Sequence, residues 1–319
     1  MSAALPPTAS LPPAQAPTCT QPGGGWIMKW ELAWGRLRRA YLRIFWRGYL
    51  KRMESLRLGE CPNCRHVILD PRDLKYWRNV CGYAFRAEDD PFQWRNELGF
   101  ARPGLAEVTL TSGIALAVIL FVLIGVNAFH PIFWVLLPLV IIPWLFILWF
   151  FRDPERQIPS DADALLSPAD GKVTHIEQVT ESDFPGGRAL RISIFLAVWD
   201  VHVNRVPRIG RVVGLRYFPG EYLDARKPES AQRNEQFWTD LEENATPRRI
   251  RIKQISGAIA RRIVNSLKLE EPVFAGERFG MIKFGSRTDV LIPASDAVDV
   301  LVKVGDKVQG GSSILLRFK

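Results

Sequence analysis

The sequence predicts a mostly β domain, barrel-sandwich-like with a short helix or lid, preceded by an α-helical transmembrane hairpin. Three observations predict it. No charged residue occurs between Glu107 and Arg152, which leaves 44 nearly all apolar positions, Val108–Phe151. Beyond them, short β-branched runs are punctuated by Gly, Pro and Asp turns. Ahead of them, aromatic residues recur at helical spacing among arginines. With 47% hydrophobic and 24% charged residues, the 319-residue chain is too well mixed to be disordered and long enough for a sizeable core.

Residues 1–25 carry no charge, are rich in Pro, Ala, Ser, Thr and Gly, and read as a disordered tail. They lack the charged and apolar regions of a signal peptide. Residues 26–58 read as a basic amphipathic helix. Trp26, Trp30, Trp34, Leu37, Tyr41, Phe45 and Tyr49 share one face, and Arg36, Arg38, Arg39, Arg43, Arg47, Lys51 and Arg52 fill much of the rest. Such a helix suits the membrane interface or packing on its neighbours. Residues 59–106 resemble a degenerate zinc ribbon: Cys61 and Cys64 form one CxxC knuckle, but the second keeps only Cys81. His66 sits beside the first knuckle, where it would close an awkward chelate, so no metal site is assigned.

Residues 107–151 divide at Asn127–Pro131 into two apolar stretches, Val108–Val126 and Ile132–Phe151, each long enough for one crossing. Arg102 precedes the first, Arg152 and Arg156 follow the second, and the turn has no Lys or Arg. The positive-inside rule then places both ends in the cytoplasm. Most of the +9 net charge lies ahead of this block, with +7 in residues 26–106, −1 at Glu107 and +3 from Arg152 onward. That distribution predicts contact with anionic lipid, and there is no nucleic-acid motif to set against it.

From 152 to 319 the strand candidates are Gly171–Ile176, Ala189–Phe195, Arg211–Tyr217, Ile250–Ile255, Phe279–Phe284, Asp289–Ile292 and Ser313–Phe318. Pro228–Asn244, polar with Phe237, Trp238 and Leu241 on one side, reads as the short helix or lid. Val302–Gly311 has the hairpin look of barrel-sandwich domains that carry lipoyl or biotinyl groups, but no modifiable Lys stands at a matching tip. Three segments carry chemistry: Leu166–Val173, Trp199–Pro207 and Phe279–Arg287. They offer a carboxylate (Asp170), an imidazole and a hydroxyl (Ser286), the elements of an activated nucleophile. Of the four His, His66 and His130 are far away in sequence. His175 lies in an alternating strand, and His202, flanked by Asp200, Asn204 and Arg205, is the better candidate.

Taken together, Phe151–Arg156, Ser167–Val173, Asp200–Pro207, Tyr217–Gly220, Arg233–Glu235 and Phe284–Ser286 resemble, in order, the motifs of the phosphatidylserine decarboxylase family, in its shorter bacterial and archaeal branch. Residues 1–100 lie outside that resemblance. It implies a self-processing proenzyme cut between Gly285 and Ser286 into subunits 1–285 and 286–319. Ser286 would become a pyruvoyl cofactor that forms a Schiff base with phosphatidylserine and releases carbon dioxide and phosphatidylethanolamine. By the same resemblance, His202 is the base and Asp170 its orienting acid, while Asn234 and Glu235 line the substrate loop or cap a helix. Longer family members carry a second His where Arg205 stands, so the assignment of His202 as base rests on its being the only His left in that segment. The expected location is the inner cell membrane, with the catalytic domain on the cytoplasmic side. A homo-oligomer, a decarboxylase of another serine-headgroup lipid and an inactive membrane-anchored interaction module all stay open.

Overall fold

A computed structural model describes residues 25–59, 69, 85–128, 131–227, 229–243, 246, 248–258 and 262–319. Cys19, Cys61, Cys64, His66, Cys81 and His130 lie outside them, as do residues 1–24 and half of the ribbon-like segment. The chain divides into two compact units, one comprising Met1–Pro91, Arg156–Ala197 and His202–Lys319, the other Phe92–Glu155 and Val198–Val201.

In the larger unit, helix α1 (Gly25–Phe45) breaks at Trp46, and α2 (Arg47–Ser55) follows, so the expected single helix is two. Trp34, Leu37, Tyr41 and Phe45 are exposed, and Leu42 is buried. The β part contains β1 (Ala164–Leu166), β2 (Gly171–Thr180), β3 (Arg188–Leu196), β4 (Val203–Arg205), β5 (Gly210–Phe218), β6 (Gln236–Glu242), β7 (Arg249–Ser256) and β8 (Arg262–Asn265). It continues with β9 (Pro272–Val273), β10 (Arg278–Lys283), β11 (Ser286–Pro293), β12 (Val298–Val300), β13 (Lys307–Val308) and β14 (Ile314–Phe318). Eight strands form a curled antiparallel sheet in the order β13-β2-β3-β11-β7-β6-β5-β9, with three-stranded sheets β4-β10-β8 and β1-β14-β12 beside it.

One expectation is overturned. Within Pro228–Asn244 only Ser230–Arg233 is helical, and Gln236–Glu242 is a strand in the middle of the large sheet. Phe237 and Trp238 face opposite sides of that strand and both are buried, so the alternation that would have marked it is hidden.

Alternation along β7 sorts the faces. Ile250 and Ile252 join Ile192, Ile194, Phe237, Leu241, Val290 and Ile292 in the core. Arg251 and Lys253 point the other way, beneath a loop that brings Glu181, Asp183 and Phe184. There Arg251, with no exposed surface, bonds Asp240 at 2.6 and 3.0 Å and Asp183 at 3.0 Å. Lys253 pairs with Glu181 and lies 3.8 Å from the Trp238 ring centroid. Arg287 and Asp289, also on this face, pair at 2.7 Å.

The smaller unit contains α3 (Leu105–Ala128) and, after a 3-10 turn at Pro131–Val135, α4 (Leu136–Phe150). Only α3 is by itself long and apolar enough to cross a membrane among the described residues, and the expected second span is a 15-residue helix with Pro143 inside it. Trp144 Nε1 donates to Ser112 Oγ between the two helices at 2.9 Å. Ala101 N–H donates to Phe151 O at 2.7 Å and Asp153 N–H to Gly99 O at 2.7 Å, so the two ends of the helix pair are tied together. Arg152 stacks on Trp149 at 3.9 Å, and both donate to the carbonyl of Trp199.

Replacing Arg251 with Ala leaves the buried Asp240 carboxylate only the longer 3.3 Å contact to Arg216, and breaking such a pair costs up to about 3–5 kcal/mol. The expected result is a clearly lowered thermal unfolding midpoint, measured on the full chain in detergent.

Candidate active site

The inward positions of the large sheet are apolar at one end and polar at the other. Along β11, Val290 and Ile292 give way to Thr288 and Ser286; along β7, Ile250 and Ile252 give way to Gln254 and Ser256. The polar end is held by side-chain amides. Gln254 Nε2 donates to Asn204 Oδ1 at 2.8 Å, and Asn265 Nδ2 donates to Thr239 Oγ1 at 2.9 Å and Gln254 Oε1 at 3.1 Å. Asn204 Nδ2 reaches Thr288 Oγ1 at 3.3 Å. All of these residues are buried, which fixes β4 and β8 over this end of the sheet.

Ser286 opens β11, paired with Leu196 on one side and Ser256 on the other. Its Oγ is buried and makes no hydrogen bond among the described residues, an arrangement that costs stability and marks a functional group. The turn that delivers it is strained, since Phe284 and Gly285 have φ of +69° and +59°. A left-handed Phe is uncommon, and Gly285 takes the same region without a side-chain penalty. His202 is fully buried just ahead of β4, and its Nε2 accepts the Gly285 N–H at 3.2 Å. Nε2 is therefore the unprotonated ring nitrogen, with its lone pair directed at the amide of the Gly285–Ser286 segment.

The Gly285 carbonyl is crowded from another direction. A Cβ on Gly257 would lie 2.4 Å from the Gly285 oxygen, so a side chain there would displace the carbonyl.

Asp170 follows the Ser167-Pro168-Ala169 turn, where Ser167 Oγ donates to Ala169 O at 2.6 Å. Its Oδ2 accepts from Arg156 Nη2 at 2.7 Å and its Oδ1 from the Gly310 N–H at 2.8 Å. Both anchors escape sequence reasoning. Arg156 belongs to a quoted motif without a role, and Gly310 comes from the hairpin noted only for its barrel-sandwich look. Arg205, at the position of the second His, donates to Gly276 O at 3.1 Å. His175 lies opposite Ser193 in the β2–β3 ladder, several residues from the Leu196–Ser286 row, and bonds Thr174 Oγ1 at 3.0 Å.

Asn234 and Glu235 come before β6, with different surroundings. Asn234 spends its amide on the backbone, accepting from Leu223 N–H at 2.8 Å and donating to Leu223 O and Ser256 O at 2.8 and 2.6 Å. It pins the 219–234 loop to β7. Glu235 is 2% exposed; its Oε1 accepts from Tyr217 Oη at 2.9 Å, and its Oε2 makes no hydrogen bond among the described residues. Burial pushes its carboxyl up to about 7, partly offset by hydrogen bonds from Tyr217 and Tyr222.

The phosphatidylserine decarboxylase family profile matches residues 144–316, a range that includes Asp170, His202 and the strained Phe284-Gly285 turn. The chain belongs to the phosphatidylserine decarboxylase family. It is 41% identical over 249 residues to the phosphatidylserine decarboxylase proenzyme of Rhodopirellula baltica, covering 77% of this chain and 99% of that protein. Proenzymes of the same name from Desulfotalea psychrophila and Symbiobacterium thermophilum are 46% and 43% identical, covering 53% and 54% of this chain and 78% and 79% of theirs. The Rhodopirellula alignment is too long for the profile range alone, so that similarity reaches upstream of residue 144.

Gly257→Ala should slow cleavage at the Gly285–Ser286 bond at least about tenfold, or about 1.4 kcal/mol on the barrier. The time course of precursor loss on a denaturing gel measures it.

Proposed function

We propose that the chain is a self-processing, pyruvoyl-dependent phosphatidylserine decarboxylase that makes phosphatidylethanolamine and carbon dioxide at the membrane. One observation carries the processing step: the buried Ser286 hydroxyl follows directly on a left-handed Phe284-Gly285 turn whose amide meets His202 Nε2. In that step His202 takes the Ser286 hydroxyl proton, and Oγ attacks the Gly285 carbonyl. The peptide C–N bond breaks, leaving an ester. Loss of the Ser286 α-proton then breaks the bond between Cβ and the ester oxygen and frees the Gly285 carboxylate. Water displaces the new terminal nitrogen as ammonia, leaving a ketone. Asp170, fixed by Arg156 and Gly310, orients and stabilises the His202 imidazolium.

The residues present fit this cofactor because it arises from their own backbone at a site with a strained turn, a buried nucleophile and a base. When formed, the ketone supplies a carbonyl for the headgroup amine and an electron sink for the charge left by carbon dioxide. His202 is the candidate proton donor to the carbon that loses the carboxylate. Asn234 and Glu235 belong to the substrate side of the site.

Helices α3 and α4 form the membrane hairpin in this reading. The 24 residues of α3 measure about 36 Å, and α4 with its preceding 3-10 turn about 32 Å, against a hydrocarbon core of about 30 Å. Their outward faces are apolar and open, with Ile124, Leu139 and Ile142 about two-thirds exposed. The exposed aromatic face of α1, among its arginines, would lie in the headgroup layer on the cytoplasmic side.

Mass spectrometry of the purified protein tests the reading. A 34-residue fragment, 286–319, with a pyruvoyl terminus is expected, and Ser286→Ala should stay uncut and inactive. Recovery of only the intact 36.2 kDa chain from the wild type would overturn it.

A further inference from the structure

Three buried side-chain oxygens without a hydrogen bond among the described residues lie in one row across the sheet. They are Ser286 Oγ on β11, Ser256 Oγ at the end of β7 and Glu235 Oε2 just before β6. The register aligns them. Ser286 is the direct partner of Ser256, and Ser256 N–H donates to Glu235 O at 3.0 Å. Directly opposed residues present their side chains on one face, with Cβ atoms roughly 4.5–5.5 Å apart. The Glu235 carboxyl is on the inward side, since it meets Tyr217, a member of the core.

Folding leaves such groups unsatisfied only at a cost of about 1–3 kcal/mol each. Processing removes Ser286 Oγ, and the two oxygens that stay, Ser256 Oγ and Glu235 Oε2, lie in the row of the residue that becomes the ketone and are the complement of a ligand that brings hydrogen-bond donors. From Glu235 to Ser286 is two strand spacings, roughly 9.5 Å between backbones.

We propose that Glu235 and Ser256 form the subsite for the substrate's primary ammonium, with Glu235 as the base that deprotonates it. This rests on the decarboxylase reading and deepens it. Glu235 takes one proton from the ammonium, which frees the nitrogen lone pair to bond to the carbonyl carbon at position 286. It returns that proton to the carbonyl oxygen and then relays a second one from the nitrogen, so the oxygen departs as water when the C–O bond breaks and a C=N bond forms. Ser256 accepts a hydrogen bond from the nitrogen while the C–N bond forms. A carboxyl poised near 7 can both take and return a proton at neutral pH. The groups facing it are Tyr217 and Tyr222, and burial pushes the Tyr217 hydroxyl up so that it stays a neutral donor.

The test compares wild type, Glu235→Gln and Ser256→Ala as full chains in detergent with phosphatidylserine. All three are expected to be cut into 1–285 and 286–319 with the ketone present by mass. In Glu235→Gln, turnover and cyanoborohydride trapping of the lipid amine on the small fragment should both fall about 100-fold or more. In Ser256→Ala, trapping should fall about tenfold. Hydroxylamine, whose nitrogen is already unprotonated at neutral pH, bypasses the deprotonation step, so its reaction should fall much less than lipid-amine trapping in Glu235→Gln. Wild-type kcat/KM should decline as the pH falls below about 7 and Glu235 takes its proton, and this limb should vanish in Glu235→Gln. Wild-type trapping by Glu235→Gln, an equal loss of hydroxylamine reactivity, or unchanged trapping in Ser256→Ala would overturn the proposal. Uncut Glu235→Gln and Ser256→Ala beside a cut wild type would also overturn it, by assigning the row to maturation. An uncut wild type would overturn the decarboxylase reading and this proposal with it.

Discussion

Strand β11 is hydrogen-bonded on both sides, to β3 along Ser286–Pro293 and to β7 along Ser286–Leu291, and this double pairing sets the site. Side chains alternate with a period of two, so a slip of one residue would exchange the faces of the strand. Ser286 and Thr288 would turn outward, and Arg287 and Asp289 would enter a core lined by Ile and Val. The cost of burying that pair away from its partners holds the register firmly. The same register carries the strained turn, because β10 and β11 belong to different sheets and only Phe284 and Gly285 connect them.

The sheet is therefore buried on both sides for different reasons. Its inner face is a hydrocarbon core for most of its length. Its outer face is a charge network in which Arg251 satisfies Asp240 and Asp183, and Lys253 satisfies Glu181 under the Trp238 ring. Paired charges tolerate burial because each desolvation penalty is met by a short hydrogen bond. At the polar end of the inner face the rule changes. Asn204, Asn265, Gln254 and Thr239 satisfy one another, whereas Ser286, Ser256 and Glu235 keep oxygens unpaired. The contrast within a few ångströms separates scaffold from working site.

Seven of the fourteen strands among the described residues were legible as sequence, since β-branched runs such as Ala189–Phe195 and Ile250–Ile255 fall within one or two residues of β3 and β7, and the rest, apart from β6, are only two to four residues long. The strand Gln236–Glu242 was not, because aromatics on both faces and an adjoining polar stretch imitate a short helix. The long apolar block announced a helix pair, but its second half opens with a 3-10 turn. Asn234 shows the limit of a motif read by itself: its amide is consumed by Leu223 and Ser256, which makes it a brace beside Glu235.

By itself the sequence determined the order of segments, the two apolar stretches and the residue types of a nucleophile, a base and an acid, because these depend on local composition, periodicity and motif. Only the tertiary structure decided which nitrogen of His202 faces Gly285, which groups grip Asp170, and that Glu235 and Ser256 stand in the Ser286 row. Those relations join residues from 14 to 140 positions apart. Strand pairing creates them, and no local pattern encodes which strands will pair.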